Sequence, residues 1–365
     1  GRLAGGTFAA LVPVDPGFAV VGWAARAQRE VGRQVTWAGQ TLDLSLTIGI
    51  GHWPDDAVDC ETLLRRAEQA MFEAKRQRLP IASYYSALEA TRVSHLTLLS
   101  ELTAAIEQGQ LRMFVQPKVS PVDLQPRGVE ALVRWQHPQR GWISPAEFIP
   151  FAESTGRIRH ITQWMLERAI ETLARWQHAG TMLGIAVNVS TVDLQDKTLP
   201  GRVEEMLRFA GVAPHWLQIE LTETGLMGSG PDPIQVLHEL REIGVGLAID
   251  DFGTGQSSLG YLQRLPVHEL KIDRSFVDGF ATDPRRRQLL SSIIGLGHSL
   301  GLTVTAEGVE LDAELEGLRS MGCDLVQGFL IAKPMDVERF DPRRIGRVAA
   351  PEAQRPAVAA AALTR

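Results

Sequence analysis

The chain has 365 residues, of which 44% are hydrophobic and 22% are charged, so it is long enough for two globular domains with sizeable cores. Its formal net charge of −6 argues against binding to a DNA or RNA polymer, because polymer-binding proteins usually carry a basic surface. No run approaches the roughly 20 apolar residues of a membrane span, which predicts a cytoplasmic chain, while a sensory or membrane-bound region upstream of Gly1 stays open.

The N-terminal zone, residues 1–82, predicts a short α+β domain that a linker at 83–95 follows. Strands are expected at 8–12 and 42–53, and helices at 17–31 and 60–76. The two cysteines, Cys60 and Cys323, have no zinc-ligand spacing, and we expect both to be buried free thiols. An amphipathic helix near 95–108 is a candidate linker, dimer contact or barrel lid.

From Leu111 onward, short apolar strands alternate with longer helical patterns, which is typical of βα units around a parallel sheet. There are eight candidate strands, the number in a TIM-like (β/α)8 barrel, and about 235 residues are the length of one such barrel. They lie at 112–117, 127–134, 184–189, 217–221, 246–250, 268–272, 302–306 and 323–327. Helices are expected at 161–178, 200–210, 233–243, 284–300 and 311–321.

The residues that end these strands are mostly acidic. In a barrel of this kind the active site lies at the C-terminal ends of the strands. A single acid there would more often be a helix N-cap or a surface charge, but repetition at successive strands favours a shared site. The side chains in question are Glu130 with Arg134, Asn188, Glu220 with Glu223, Asp250 with Asp251, Lys271 with Asp273, Glu307 and Gln327.

Such a ligand set, with oxygen donors and without His or Cys, suits Mg²⁺ or Mn²⁺. Two adjacent aspartates, Asp250 and Asp251, allow one carboxylate to bridge two ions about 4 Å apart, the usual arrangement for hydrolysing a phosphodiester. Lys271 could orient the attacking water or serve as a counter-ion for the acidic cluster, and the two roles are compatible.

Several motifs resemble those of the EAL domain, the cyclic di-GMP phosphodiesterase family. They are, in order, F-V-Q-P-K-V, E-A-L-V-R-W, F-I-P-F-A-E-S-T-G, V-N-V-S, E-L-T-E, I-D-D-F-G-T-G, L-K-I-D-R-S-F, A-E-G-V-E and V-Q-G-F-L-I-A-K-P. The resemblance implies a barrel over residues 96–343 that cleaves cyclic di-GMP to linear pGpG with two Mg²⁺ or Mn²⁺ ions.

The resemblance also implies a role for each matching residue. One ion would be held by Glu130, Asn188, Glu220 and Asp250, and the other by Asp250, Asp251 and Glu307. Lys271 and Gln327 would place the attacking water. The nucleotide would be contacted by Gln116, Arg134 and Asp273. Glu223 would anchor the loop after the two aspartates, where Gln256 stands in place of the family's usual tyrosine, a departure that bears on the loop's mobility and on the rate.

The N-terminal zone resembles the second half of a GGDEF domain, the cyclic di-GMP synthase, through S-L-T-I-G-I-G and L-L-R-R-A-E-Q-A-M-F-E-A-K-R. The signature reads R-L-A-G-G-T-F, so Gly6 and Thr7 replace the expected Asp and Glu. Without these acids the loop is not expected to bind metal or activate a hydroxyl. We therefore expect a truncated, degenerate domain without synthase activity.

Two alternatives to the enzyme stay open: a receptor that binds cyclic di-GMP without cleaving it, and a scaffold that uses the GGDEF remnant for protein contacts. A homodimer through the barrel is a further possibility by analogy with relatives. The Ala/Pro-rich tail at 344–365 is expected to be disordered, with a short helix at 357–363 as the alternative.

Overall fold

The computed structural model describes residues 1–3, 7–14, 20–31, 35–37, 40–42, 46–76, 79–84, 101–102, 104–223, 231–254 and 262–342. The chain divides into two compact units, Gly1–Leu98 and Leu99–Arg365. The predicted tail at 344–365 lies outside the described residues. None of the described helices combines the length and the apolar composition that a membrane span requires.

The described part of the first unit combines short strands with two helices. Its elements are α1 (Val20–Val31), β1 (Val35–Trp37), β2 (Gln40–Leu42), β3 (Ile48–Ile50), α2 (Cys60–Arg76) and β4 (Ile81–Ser83). Strands β1 and β2 pair antiparallel, whereas β3 and β4 pair parallel. Helix α2 packs closely on β3 because Gly49 has no side chain: a Cβ there would lie 2.0 Å from the Ala67 carbonyl oxygen.

Several predictions for this unit need correction. The helix predicted at 60–76 is confirmed, but the strand at 8–12 is wrong, since the described residues there form only an isolated bridge from Phe8 to Arg2. The strand predicted at 42–53 is interrupted, because the chain turns after β3 where the His52 N–H donates to the Asp56 carboxylate at 2.6 Å. Cys323 is buried as expected, but Cys60, at the start of α2, is exposed.

In the second unit, eight of the described strands close into a barrel, which confirms the TIM-like fold. They are β5 (Leu111–Val119), β6 (Pro126–His137), β8 (Gly184–Asn188), β9 (Leu217–Thr222), β10 (Gly246–Phe252), β11 (Glu269–Ile272), β12 (Thr303–Ala306) and β13 (Leu325–Val326). Two short strands extend the sheet: β7 (Gly141–Ile143) pairs with β6, and β14 (Met335–Asp336) pairs with β5.

One strand departs from the predicted parallel arrangement. Strand β5 runs antiparallel to both of its barrel neighbours, β6 and β13. Only a short turn at 120–125 joins β5 to β6. Such a connection can join antiparallel strands, whereas parallel strands need a longer crossover.

Helices surround the strands: α3 (Pro145–Ser154), α4 (Ile158–His178), α5 (Leu199–Ala210), α6 (Pro231–Ile243), α7 (Arg274–Val277), α8 (Pro284–Ser299) and α9 (Asp312–Ser320). Residues 101–102 and 104–107 are also helical, and their Leu102 and Ala105 are buried. The Glu101 carboxylate of this stretch lies 3.0 Å from Nε2 of His137 on β6. The described part of the predicted helix at 95–108 therefore packs on the barrel wall.

The two faces of the barrel strands differ in chemistry. Residues such as Val129, Ile219 and Leu270 are fully buried and apolar. Their neighbours in sequence, including Glu130, Glu220 and Lys271, are buried and charged, and they contact one another across the barrel. Because side chains alternate along a strand, the polar set points to the interior of the barrel.

Candidate active site

Lys271 lies at the centre of the polar interior and is fully buried. Its Nζ lies 2.7 Å from Glu220 Oε2 and 2.7 Å from Glu307 Oε1. Asp250 Oδ1 is 3.1 Å away and Glu130 Oε2 is 3.4 Å away. The structure thus brings four predicted site carboxylates around one ammonium, and their total charge exceeds that of the lysine.

The carboxylates form two groups that share Asp250. Ligand atoms of Glu130, Glu220 and Asp250 all lie within 4.8 Å of one another, and the same holds for Asp250, Asp251 and Glu307. Each group offers oxygen donors alone, which suits a hard divalent cation. These two triads correspond to the two ligand sets that the resemblance implied, apart from Asn188.

Asp251 reaches the same mouth as Asp250 through a break in the strand. Successive residues of a regular strand point to opposite faces, so two adjacent aspartates would not normally meet. The pairing of β10 with β11 is irregular between Ile249 and Phe252, and Asp251 has a φ of +54°, in the left-handed region. Such a conformation is costly for a residue with a side chain, and strain of this kind is concentrated at functional sites.

Amide side chains hold Glu130 from both sides. Asn188 Nδ2 donates to Glu130 Oε1 at 2.7 Å, and Gln327 Nε2 donates to Glu130 Oε2 at 2.7 Å. Gln327 Nε2 also lies 3.1 Å from Gln116 Oε1. Gln327 Oε1 is buried without a hydrogen-bond partner among the described residues, so an acceptor stands ready for a donor that enters the site.

Glu223 contacts the segment that follows the aspartate pair. Its Oε2 accepts a hydrogen bond from the Gly253 N–H at 2.6 Å, at the start of the loop that the resemblance assigns to it. Gly253 has a φ of +97°, and a Cβ there would lie 2.5 Å from Cε2 of Phe276. Glycine therefore permits this turn. Gln256 lies outside the described residues.

The remaining predicted residues lie around the central cluster. The Arg134 guanidinium lies 5.7 Å from the centroid of the Phe114 ring, on the hairpin of β5 and β6, and Trp142 packs edge-on against that ring. Asp273 Oδ1 accepts from the Ser275 N–H at 3.0 Å and so caps α7. The structure thus gives Asp273 the helix-cap role that a lone acid at a strand end commonly has.

Burial and mutual repulsion raise most of the carboxyl pKa values. Burial raises the pKa of Glu220 to about 7, although Lys271 opposes the shift. Burial and the neighbouring Asp250 charge raise the pKa of Asp251 to about 6. Burial likewise raises the pKa of Glu307 well above its ordinary value. Burial would raise the pKa of Glu130 too, but Lys271 and the two amide donors outweigh it and lower that pKa.

A second layer of polar side chains, which the motifs did not reveal, lies directly below the site in the barrel interior. Lys118 Nζ lies 2.6 Å from Gln218 Oε1 and 3.1 Å from Glu269 Oε1, and Thr305 Oγ1 donates to Glu269 Oε1 at 2.7 Å. Each of these four residues stands two positions from a predicted site residue on the same strand or its extension. The period of two along a strand was therefore the signal that could have found them.

Comparison with known proteins gives the family. A model of the EAL domain matches residues 99–334, and a model of the diguanylate cyclase GGDEF domain matches residues 1–79. The chain belongs to the EAL-domain family, as its motifs predicted.

Two similar relatives with assigned names come from Pseudomonas aeruginosa. The chain is 37% identical over 341 residues to MucR, named a bifunctional diguanylate cyclase/cyclic di-GMP phosphodiesterase, covering 93% of this chain and 50% of MucR. It is 36% identical over 342 residues to the cyclic di-GMP phosphodiesterase NbdA, covering 93% of this chain and 44% of NbdA. The chain spans about half the length of these curated relatives.

Solved structures agree with the fold. The phosphodiesterase of PaMucR in complex with c-di-GMP gives a TM-score of 0.63 at 42% identity, over 66% of this chain and 98% of that one. The EAL domain of FimX from Pseudomonas aeruginosa bound to c-di-GMP gives a TM-score of 0.61 at 26% identity, over 65% and 96% of the two chains.

Proposed function

We propose that this chain is a metal-dependent phosphodiesterase that opens one phosphodiester bond of cyclic di-GMP to give linear pGpG. The observation that carries the proposal is the pair of carboxylate triads joined through Asp250 at the mouth of an EAL-family barrel. The names of MucR and NbdA and the ligand of the PaMucR complex support cyclic di-GMP as the substrate.

The donor chemistry supports two Mg²⁺ or Mn²⁺ ions. One would be held by Glu130, Asn188, Glu220 and Asp250, and the other by Asp250, Asp251 and Glu307. Asn188 uses its amide nitrogen on Glu130, so its amide oxygen is the atom it can offer to a cation. When bound, such a metal pair stabilises the attacking and leaving oxygens of an in-line displacement at phosphorus.

The chain's own residues would orient the reactants. Lys271 and Gln327 would place the attacking water, and the unpartnered Gln327 Oε1 fits the acceptance of a hydrogen from it. The Lys271 ammonium would also stabilise negative charge that develops on the phosphate. We assign nucleotide contacts to Gln116, Arg134 and Asp273, and the anchoring of the following loop to Glu223.

We also propose the division of the chain. Residues 1–82 would form a partial GGDEF domain without synthase activity, because Gly6 and Thr7 replace two acids. A linker at 83–95, the barrel at 96–343 and a tail at 344–365 would follow.

Product analysis tests the proposal. Purified chain is incubated with cyclic di-GMP and Mn²⁺, with a chelator-treated sample as control, and the nucleotides are separated by chromatography. Linear pGpG in the Mn²⁺ sample alone is the expected result. Calorimetric binding of cyclic di-GMP without any pGpG would instead favour the receptor.

A further inference from the structure

The polar layer below the active site consists of Lys118, Gln218, Glu269 and Thr305. Lys118 is 3% exposed and Glu269 is 5% exposed, so their charges are withdrawn from water. Glu269 is satisfied three times over, by Lys118 at 3.1 Å, by Gln218 Nε2 at 2.7 Å and by Thr305 Oγ1 at 2.7 Å. Such a network is stable only when its members are paired.

The layer contacts the active site through one carboxylate, Glu220. Lys118 Nζ lies 3.1 Å from Glu220 Oε1, while Lys271 Nζ lies 2.7 Å from Glu220 Oε2. Glu220 is completely buried. Because each oxygen has its own cationic donor, the plane of the carboxylate is fixed.

We propose that Lys118 is a positioning residue that holds Glu220 Oε1 and so turns Oε2 toward the cation site. The inference rests on the proposed function, since it concerns the metal that Glu220 would bind. Lys118 reaches this depth because β5 runs antiparallel to its neighbours, which places residue 118 below Gln116 rather than above it.

A role as counter-ion of Glu269 alone does not account for the position of Lys118. Glu269 has two further donors, and Gln218 Oε1 holds the ammonium at 2.6 Å, on the strand that carries Glu220. The ammonium thus lies between both carboxylates. Removing a hydrogen-bond partner of a metal ligand typically weakens metal affinity by about 10–100-fold.

The test compares two variants that differ at position 118 alone. E269Q removes the partner charge but leaves Lys118 on Glu220, and K118M/E269Q removes the Lys118 donor as well. A single K118M variant is avoided because it would leave Glu269 buried without its cation. Mn²⁺ affinity is measured without substrate, from the electron paramagnetic resonance signal of the free ion, alongside the Mn²⁺ dependence of turnover.

We expect the Mn²⁺ dissociation constant to rise at least about 10-fold from E269Q to K118M/E269Q. The KM for cyclic di-GMP should stay unchanged, and kcat should recover at high Mn²⁺. If K118M/E269Q does not fold, K118M/E269M supplies an apolar pair, for which the same rise in the Mn²⁺ dissociation constant relative to wild type is expected.

A Mn²⁺ dissociation constant within twofold of the reference in a folded variant would overturn the proposal. Wild-type chain that binds no Mn²⁺ would overturn the proposed function itself, a result distinct from the variant comparison.

Discussion

At the scale of single residues, the site depends on carboxylates whose charge is balanced only in part. Lys271 supplies one positive charge to Glu130, Glu220, Asp250 and Glu307. Buried like charges of this kind destabilise a fold unless a cation or a proton neutralises them. Burial raises the pKa of Glu220 to about 7 and that of Asp251 to about 6, the direction in which protons neutralise part of this charge.

Replacing one proposed ligand should remove activity without unfolding the chain. Glu130→Gln keeps the shape of the side chain but loses the negative charge, so we expect turnover to fall at least about 100-fold. The matched control is Glu204→Gln on the exposed face of α5, which should retain wild-type turnover. Near-normal turnover in Glu130→Gln would contradict the assignment of Glu130.

Metal binding should strengthen as the pH rises. The pKa of Glu220 in the folded chain is about 7, above its ordinary value of 4.5. Protonation of Glu220 therefore stabilises the metal-free fold: the contribution is complete below about pH 4.5 and is lost as the pH rises through 7. A metal must displace that proton, which weakens apparent affinity about 30-fold at pH 5.5. Thermal unfolding should show a larger Mn²⁺-induced rise in Tm at pH 8 than at pH 5.5. An equal rise at both would contradict this.

The sequence predicts the site residues that lie at strand ends. It does not predict the residues whose position in the site is determined by tertiary contacts. The ends of successive strands identified Glu220, Asp250 and Glu307 because all strand ends of one direction meet at one mouth. Lys118 was missed because the first barrel strand was predicted only over 112–117, whereas β5 continues to Val119 and runs antiparallel, which places Lys118 below the site. The left-handed Asp251 depends on an irregularity in sheet pairing that no local pattern encodes.

At the scale of elements, the turn after β10 connects the aspartate pair to Glu223. Glu223 accepts from the Gly253 N–H, and the ring of Phe276 on α7 leaves no room for a side chain at 253. The two contacts hold the backbone directly after Asp251. The position of this turn therefore affects the second carboxylate triad.

A methyl group at Gly253 should disturb this turn. Gly253→Ala places a Cβ about 2.5 Å from Phe276 and at a φ of +97°, so we expect weaker Mn²⁺ binding and lower turnover. Gly201→Ala on α5 is the control, since nothing lies within 4 Å of its Cβ position. The control should be unchanged in activity and more stable by about 0.5–1 kcal/mol. Wild-type Mn²⁺ affinity in Gly253→Ala would refute the coupling.

The segment that follows β14 should support stability rather than catalysis. Phe340 is buried and lies 5.4 Å from the ring of Trp176 on α4, and Glu338 pairs with Arg175 of the same helix. Phe340→Ala should lower the free energy of unfolding by about 3 kcal/mol, whereas Phe209→Ala, at a side chain 78% exposed, should change it little. Chemical denaturation of both variants checks the difference, and equal effects would contradict the packing.

At the scale of the whole molecule, the two compact units differ in the candidate site residues that they contain. The barrel unit contains both carboxylate triads found among the described residues. The first unit matches a GGDEF model over residues 1–79. It has Thr7 at a position where the resemblance predicts an acid. The barrel could be predicted from the alternation of strands and helices, whereas the short strands of the first unit were partly missed because few residues form each of them.

Selection among cations should follow the geometry of the site. Calcium prefers more ligands and looser coordination than magnesium, so it should bind the carboxylates and yet hold the reactants out of line. Excess Ca²⁺ is expected to inhibit turnover in the presence of Mn²⁺, with inhibition relieved by more Mn²⁺. Turnover supported equally by Ca²⁺ alone would argue against the proposed arrangement.

In the proposed mechanism, two cations joined through Asp250 drive cleavage of cyclic di-GMP. The most direct measurement is a Mn²⁺ titration of pGpG formation by wild-type chain and by Asp250→Asn, with each sample preceded by metal removal. We predict no product without metal, a steep dependence on Mn²⁺ for wild type, and no detectable product from Asp250→Asn. Metal-independent cleavage, or wild-type turnover by Asp250→Asn, would contradict this mechanism.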